Sequence, residues 1–166
     1  SKPAEVSPEQ HLTLLNESFS DPNVKQALYD RTLAAAKNPT NKGRNMGFTI
    51  KELEQMTPDQ LATEFLNMQD RNVKAGYFMS TNGIGYDCFD NTTGERLAKC
   101  KDSVPYKNLD ELFTAAGAVV TPTTPKIRGL QQASYIGYRD LLKDRDDGKL
   151  DEGLANTLKP FNIKDR

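Results

Sequence analysis

Cys88 and Cys100 are the only cysteines in the chain, and both lie in the stretch GYDCFDNTTGERLAKCKD (85–102). Thiols at this spacing could close a disulfide, hold a metal ion or act as nucleophiles. A metal site needs further ligands at suitable spacing, and there is neither a Cys-x-x-Cys pair nor a nearby histidine; the single histidine, His11, is far off in sequence. A Cys-His or Ser-His pair would have to recruit His11 across the fold, and a surface or packing role suits His11 better. A disulfide needs only that the two residues oppose each other. If two strands pair so that Cys88 faces Cys100, the midpoint is Gly94, at the tip of a Thr93-Gly94-Glu95 turn. Glycine there supplies the left-handed position of a three-residue hairpin loop. Opposed Cα atoms at a non-hydrogen-bonded site are roughly 4.5–5.5 Å apart, within disulfide range. Closing so short a loop would stabilise the fold by about 3 kcal/mol on the loop-entropy account. With a four-residue turn at 91–94, Cys100 would instead face Gly85 and no bridge could form. The Cys88–Cys100 disulfide and that register are therefore expected together.

Other candidate chemistry reads more plainly as structure. Asn91-Thr92-Thr93 matches a glycosylation sequon, but a polar hairpin tip explains it. The acidic run DRDDGKLDE (144–152) invites a calcium reading. Aligned on Gly148, however, an EF-hand loop would have Lys143, Arg145 and Leu154 where ligands are required, so a helix end followed by a turn at Gly148 is expected. GFTIKELEQM (47–56) has the outline of a recognition helix, but it offers Glu52 and Glu54 where a DNA groove wants basic or amide groups. TNGIG (81–85) lacks the third glycine and the helix of a dinucleotide fingerprint. Aspartates and glutamates are too many and too evenly spread for a catalytic pair to stand out. No catalytic residue, metal site or cofactor is assigned. With no Trp in the chain, the candidate interface residues are Tyr77, Phe78, Tyr86, Phe89, Tyr135 and Tyr138, because buried tyrosine and phenylalanine anchor many interfaces. A role in the core between sheet and helices competes with this for the same rings.

The elements that would position these residues carry clear boundary signals. Ser7-Pro8-Glu9-Gln10 predicts a capped helix start, followed by Leu12, Leu14, Leu15 and Phe19. Asp21-Pro22 opens a second helix with Val24, Leu28, Leu33 and Ala34 on one side, ending near Asn38-Pro39. After a loop at 38–47 come two capping boxes in tandem, Thr49 with Glu52 and Thr57 with Gln60. Phe48 is placed to staple onto Leu53, and Met56 onto Leu61. Tyr77-Phe78-Met79, an Asn82-Gly83 turn, Ile84 to Phe89 and Arg96 to Lys101 predict a three-stranded antiparallel meander over about 76–101. Asn108 with Glu111 predicts another helix. Ile127, Leu130, Tyr138 and Leu141 sit at helical spacing, and Gly129, Ala133 and Gly137 recur every four residues. That bare face invites another backbone to approach closely. A turn and a last short helix close the chain.

Composition bounds the rest. At 166 residues the chain is long enough for one domain with a real core. Lys+Arg number 22 against Asp+Glu 23, for a net charge of −1, and this balance argues against a dedicated nucleic-acid binder. The longest apolar run, AAGAVV (115–120), is far short of the ~20 residues that span a bilayer, so no transmembrane segment is expected. The start, SKPAEVSPEQ, is polar and linker-like and has no Met. It fits a chain cut after a signal peptide or lipid anchor, or a trimmed cytosolic protein.

The expected fold is α+β. It has a flexible linker-like segment at 1–6 and a single domain over 7–166, with a helix-rich first half, the small meander packed by helices, and C-terminal helices. The expected function is non-enzymatic: an exported or cell-envelope protein, periplasmic or secreted, that binds another protein. It would serve as an accessory part of a secretion or surface assembly, or as a periplasmic inhibitor or immunity protein. Disulfides persist in oxidising compartments, which is the main reason for that location; a cytoplasmic location stays open. The alternatives are a small hydrolase with an acidic site assembled in three dimensions, and a phage or viral structural protein.

Overall fold

The computed structural model describes residues 8–40, 49–75, 77–79, 86–88 and 124–161. Four of the described helices start where a side chain satisfies a first free N–H group. Helix α1 (Pro8–Ser18) begins at a proline, whose missing N–H costs nothing in the first turn. Asp21 caps α2 (Pro22–Lys37), its side chain accepting from the Asn23 N–H at 2.8 Å. The two capping boxes form as read. Glu52 N–H donates to Thr49 Oγ1 (3.1 Å) and Thr49 N–H to Glu52 Oε1 (2.8 Å), opening α3 (Ile50–Glu54). Gln60 N–H donates to Thr57 Oγ1 (3.1 Å) and Thr57 N–H to Gln60 Oε1 (2.9 Å), opening α4 (Pro58–Ala75). Met56 packs against the core, while Phe48 lies outside the described residues. Helix α5 (Thr124–Asp146) is followed by α6 (Glu152–Thr157), which Asp151 caps through the Leu154 N–H at 2.9 Å. The helix expected from Asn108 falls outside the described residues.

The core is assembled by helices packing on helices. On α2 the buried residues are Val24, Ala27, Leu28, Thr32 and Ala35. Val24 and Leu28 lie inside as expected, but in the second half of the helix the buried positions are Thr32 and Ala35, with Ala34 exposed and Leu33 half-buried. On α4 the stripe is Leu61, Ala62, Phe65, Met68 and Gln69, the spacing of a single helix face. Helix α5 is different. Leu130, Gln131 and every residue from Ala133 to Tyr138 are buried, so this middle stretch of the helix is enclosed on more than one face, with α2 and α4 packed against α5. Its polar side chains are satisfied locally: Ser134 Oγ donates to Gln131 O (2.8 Å), and Gln131 Nε2 reaches Glu64 O (3.4 Å).

The bare face of α5 meets α2. A β-carbon on Gly137 would lie 2.5 Å from Thr32 Oγ1, 2.7 Å from Thr32 N and 2.9 Å from Thr32 Cα. Glycine is thus what lets the two backbones come together.

The α+β expectation is corrected to a mostly helical fold, and the three-stranded meander is not seen. The strands among the described residues are β1 (Tyr77–Met79) and β2 (Tyr86–Cys88), an antiparallel pair with Tyr77 opposite Cys88 and Met79 opposite Tyr86. Two strands this short supply no sheet face for helices to cover, and the helices bury one another instead. Residues 96–101, read as a third strand, lie outside the described residues.

The end of α5 resolves the acidic run. Lys149 N–H donates to Asp144 O (2.8 Å) and Gly148 N–H to Arg145 O (3.1 Å), with Gly148 at φ 73°. These are the two bonds of a Schellman cap, which turns the chain at a left-handed glycine. No atom lies within 4 Å of a β-carbon at Gly148, so only the backbone conformation resists substitution there. Gly148→Ala is expected to cost about 1 kcal/mol, and Gly148→Asn less, as read by thermal melting.

Candidate functional site

The polar groups best suited to chemistry gather where α1, the end of α5 and the chain after α6 meet. His11 is 7 % exposed, and its ring stands perpendicular to that of Phe161, with centroids 5.6 Å apart. Phe161 also stands against Tyr138 (6.4 Å). Arg145, in the last turn of α5, directs Nη1 to Leu158 O at 2.6 Å and to Phe161 O, while its Nη2 pairs with Asp146 at 2.8 Å. From α1, Ser18 Oγ donates to Thr157 O at 3.4 Å. A guanidinium with several donors suits carbonyls left open at the end of a short helix, and a cation there also matches the negative end of the helix dipole. At the residue before Arg145, Asp144 Oδ2 accepts from Arg31 Nε of α2 at 2.9 Å, while Arg31 Nη1 donates to Ala27 O at 3.2 Å; the first bond ties α2 to α5.

Asp140, on the same helix, is held above the usual carboxylate range. Desolvation is the first cause and the charge of Asp144 adds to it, against the opposing pull of Arg139, Arg31 and Lys143. A raised pKa means that the folded state holds the proton more tightly than the unfolded chain. The resulting penalty is absent below the unfolded value of 3.8 and builds as pH rises through the folded value. Asp140→Asn is therefore expected to melt higher than the parent at neutral pH, with the gap closing as pH falls below the carboxylate range. The side chain is 43 % exposed, so the solvent keeps this effect small. Melting curves across pH check it.

Of the expected site residues, Tyr135 and Tyr138 are the ones whose side chains are described. Tyr135 and Tyr138 are each 5 % exposed and build the core. Tyr138 lies 5.1 Å from Phe65 and 6.2 Å from Phe19, and Tyr135 lies 6.0 Å from Tyr138. Of the two roles open to these rings, packing is the one they fill. Tyr77 and Phe78 fall in β1 and Tyr86 in β2, where only their ladder positions are described; Phe89 lies outside the described residues. Cys88 closes β2 opposite Tyr77. Cys100 lies outside the described residues, so no Cys88–Cys100 disulfide is seen, and export finds no support from one. The segment with the outline of a recognition helix is the five-residue α3, with Leu53 buried, its carbonyl accepting from Tyr29 Oη at 3.0 Å, and Glu54 paired with Lys37 at 3.4 Å.

Arg145 and Arg31 are the residues that sequence reasoning passed over. A cation in the last turn of a helix that ends in a glycine turn is a signal for carbonyl capping, and it pointed to Arg145. Arg31 had no such signal, because its partner lies far along the chain.

Among the described residues no group of three or more His, Cys, Asp and Glu side chains is arranged to hold a metal ion, and no helix is long and apolar enough to cross a membrane. Comparison of the chain with protein-family models, with curated proteins and with solved structures gives no match.

Proposed function

We propose that this chain is a non-enzymatic protein that binds another protein, as an accessory part of an exported or cell-envelope assembly. The observation that carries the reading is the use made of the polar side chains. His11 packs on an aromatic ring, Arg31 ties two helices together, and Arg145 caps backbone carbonyls. Among the described residues, these three groups are committed to the fold at the place where they sit. The export component rests on the sequence positions of Cys88 and Cys100 alone.

Two measurements test the two components separately. Tagged chain, cross-linked in the envelope fraction of the organism that makes it, should yield one partner that rebinds the purified chain at fixed stoichiometry. Failure of every captured protein to rebind, together with turnover of an ester or phosphoester by the purified chain, would replace this reading with the hydrolase. Mass measurement of freshly isolated protein under alkylation should show both thiols blocked until reductant is added; full alkylation without reductant removes the export component.

A further inference from the structure

We infer that residues 149–161 form a strap that opens and closes as a unit over the rest of the helical core, and that its closure shields His11. The segment is fastened at its far end. No residue of α6 itself is buried, whereas Leu158 and Phe161, which follow it, are almost wholly enclosed. Arg145 holds the carbonyls of those same two residues. At its near end the strap leaves α5 through the left-handed Gly148, whose surroundings are empty to 4 Å. The helix within it is short, and helices of that length do not persist without packing. The strap's remaining holds on the core are shallower, the half-buried Leu150 and Leu154 and the Ser18 Oγ–Thr157 O bond at 3.4 Å. Releasing Leu158 and Phe161 therefore removes its deepest anchors and leaves the segment free to lift together. The helices α2, α4 and α5 keep their mutual contacts through Leu28, Phe65 and Leu141, none of which belongs to the strap. Local opening of this kind costs less than global unfolding and moves contiguous segments together.

The immediate consequence concerns His11. Phe161 packs against the only imidazole in the chain. When the strap lifts, the side of the ring that Phe161 covers meets solvent.

Having a single histidine makes the experiment unambiguous. Acylation of the imidazole by diethyl pyrocarbonate reports His11 alone, and hydrogen exchange read in parallel reports the amides of Ala155, Leu158 and Phe161, which are bonded within the strap. In the parent protein both should open at one shared rate, faster than the amides buried in α2 and α5. Arg145→Met keeps the stem and removes the donors; it should speed both signals together by about tenfold or more, with exchange in α2 and α5 unchanged. Phe161→Leu is the second variant and should speed both signals less. The strap is disproved if its amides in the parent exchange as slowly as those of α2 and α5. Labelling of His11 at the rate of free histidine, or labelling and exchange that respond separately to Arg145→Met, also disproves it.

Discussion

Gly137→Ala is expected to destabilise the protein by about 1–3 kcal/mol, although alanine is the better helix former by about 1 kcal/mol. Position 137 is in the interior of α5, so propensity alone predicts a gain. The added carbon, however, would stand 2.7 Å from Thr32 N and 2.9 Å from Thr32 Cα. Those atoms belong to the α2 backbone and cannot rotate away, so the two helices must separate. Separation loosens the packing of Leu28, Leu141 and their neighbours, which lie in the same core. Thr32 sharpens the test. Its Oγ1 is the nearest atom of all, at 2.5 Å, and it is buried without a hydrogen-bond partner. Thr32→Ala removes that atom but leaves the backbone contacts in place. The double variant should therefore recover part of the loss, with a coupling of about 0.5–3 kcal/mol in a double-mutant cycle. Urea unfolding of the four proteins measures this. If Gly137→Ala is as stable as the parent, the close approach of α2 and α5 is wrong.

This crossing shows what the sequence makes readable and what it does not. The recurrence of Gly129, Ala133 and Gly137 marked a face open to another backbone, and such a face is visible because small residues at helical spacing leave a gap whatever the partner. The partner, α2, was not visible, since nothing in its own sequence singles out Thr32. The same division holds along the chain. Capping boxes at Thr49 and Thr57 and the glycine turn at Gly148 were legible because their bonds join residues three to five apart, and local chemistry decides them.

The class of fold was misread for the complementary reason. Tyr77-Phe78-Met79 does form a strand paired with Tyr86–Cys88, but a pair of three-residue strands is too short to make a sheet layer that helices cover. The buried nature of α5 was hidden as well. Gln131, Ser134 and Gly137 dilute its apolar pattern, yet all three are buried, because the helix lies between others and its polar groups bond within reach. Tyr135 and Tyr138 read equally well as interface anchors or as core, since a tyrosine's amphipathic ring suits both. Only the surrounding helices decide between them, and those lie more than sixty positions earlier in the chain for Phe65 and Phe19.

Phe65→Ala is expected to have the largest effect of any single truncation in the described core, about 3–5 kcal/mol. Its ring is fully buried and lies 5.3 Å from Phe19 of the α1–α2 turn and 5.1 Å from Tyr138 of α5. One side chain on α4 thus holds segments from both ends of the described chain. Removing it forfeits the burial of the ring and leaves a cavity that Phe19 and Tyr138, each packed on other rings, cannot readily fill. Total stabilities of single domains are about 5–15 kcal/mol, so the variant should be partly unfolded under conditions in which the parent is folded. Leu66→Ala is the control: it removes half as many carbons from the next position, which is only half-buried, and should cost much less than half as much. Phe65→Leu keeps most of the volume and should fall between the two. Urea unfolding with a common m-value would rank them Leu66→Ala, Phe65→Leu, Phe65→Ala in order of increasing loss. Equal losses at 65 and 66 would mean that the three rings do not form the centre of the fold. A Phe65→Ala protein that also lost the Arg31–Asp144 tie between α2 and α5 would show that this ring cluster, more than the ion pair, keeps those helices in place.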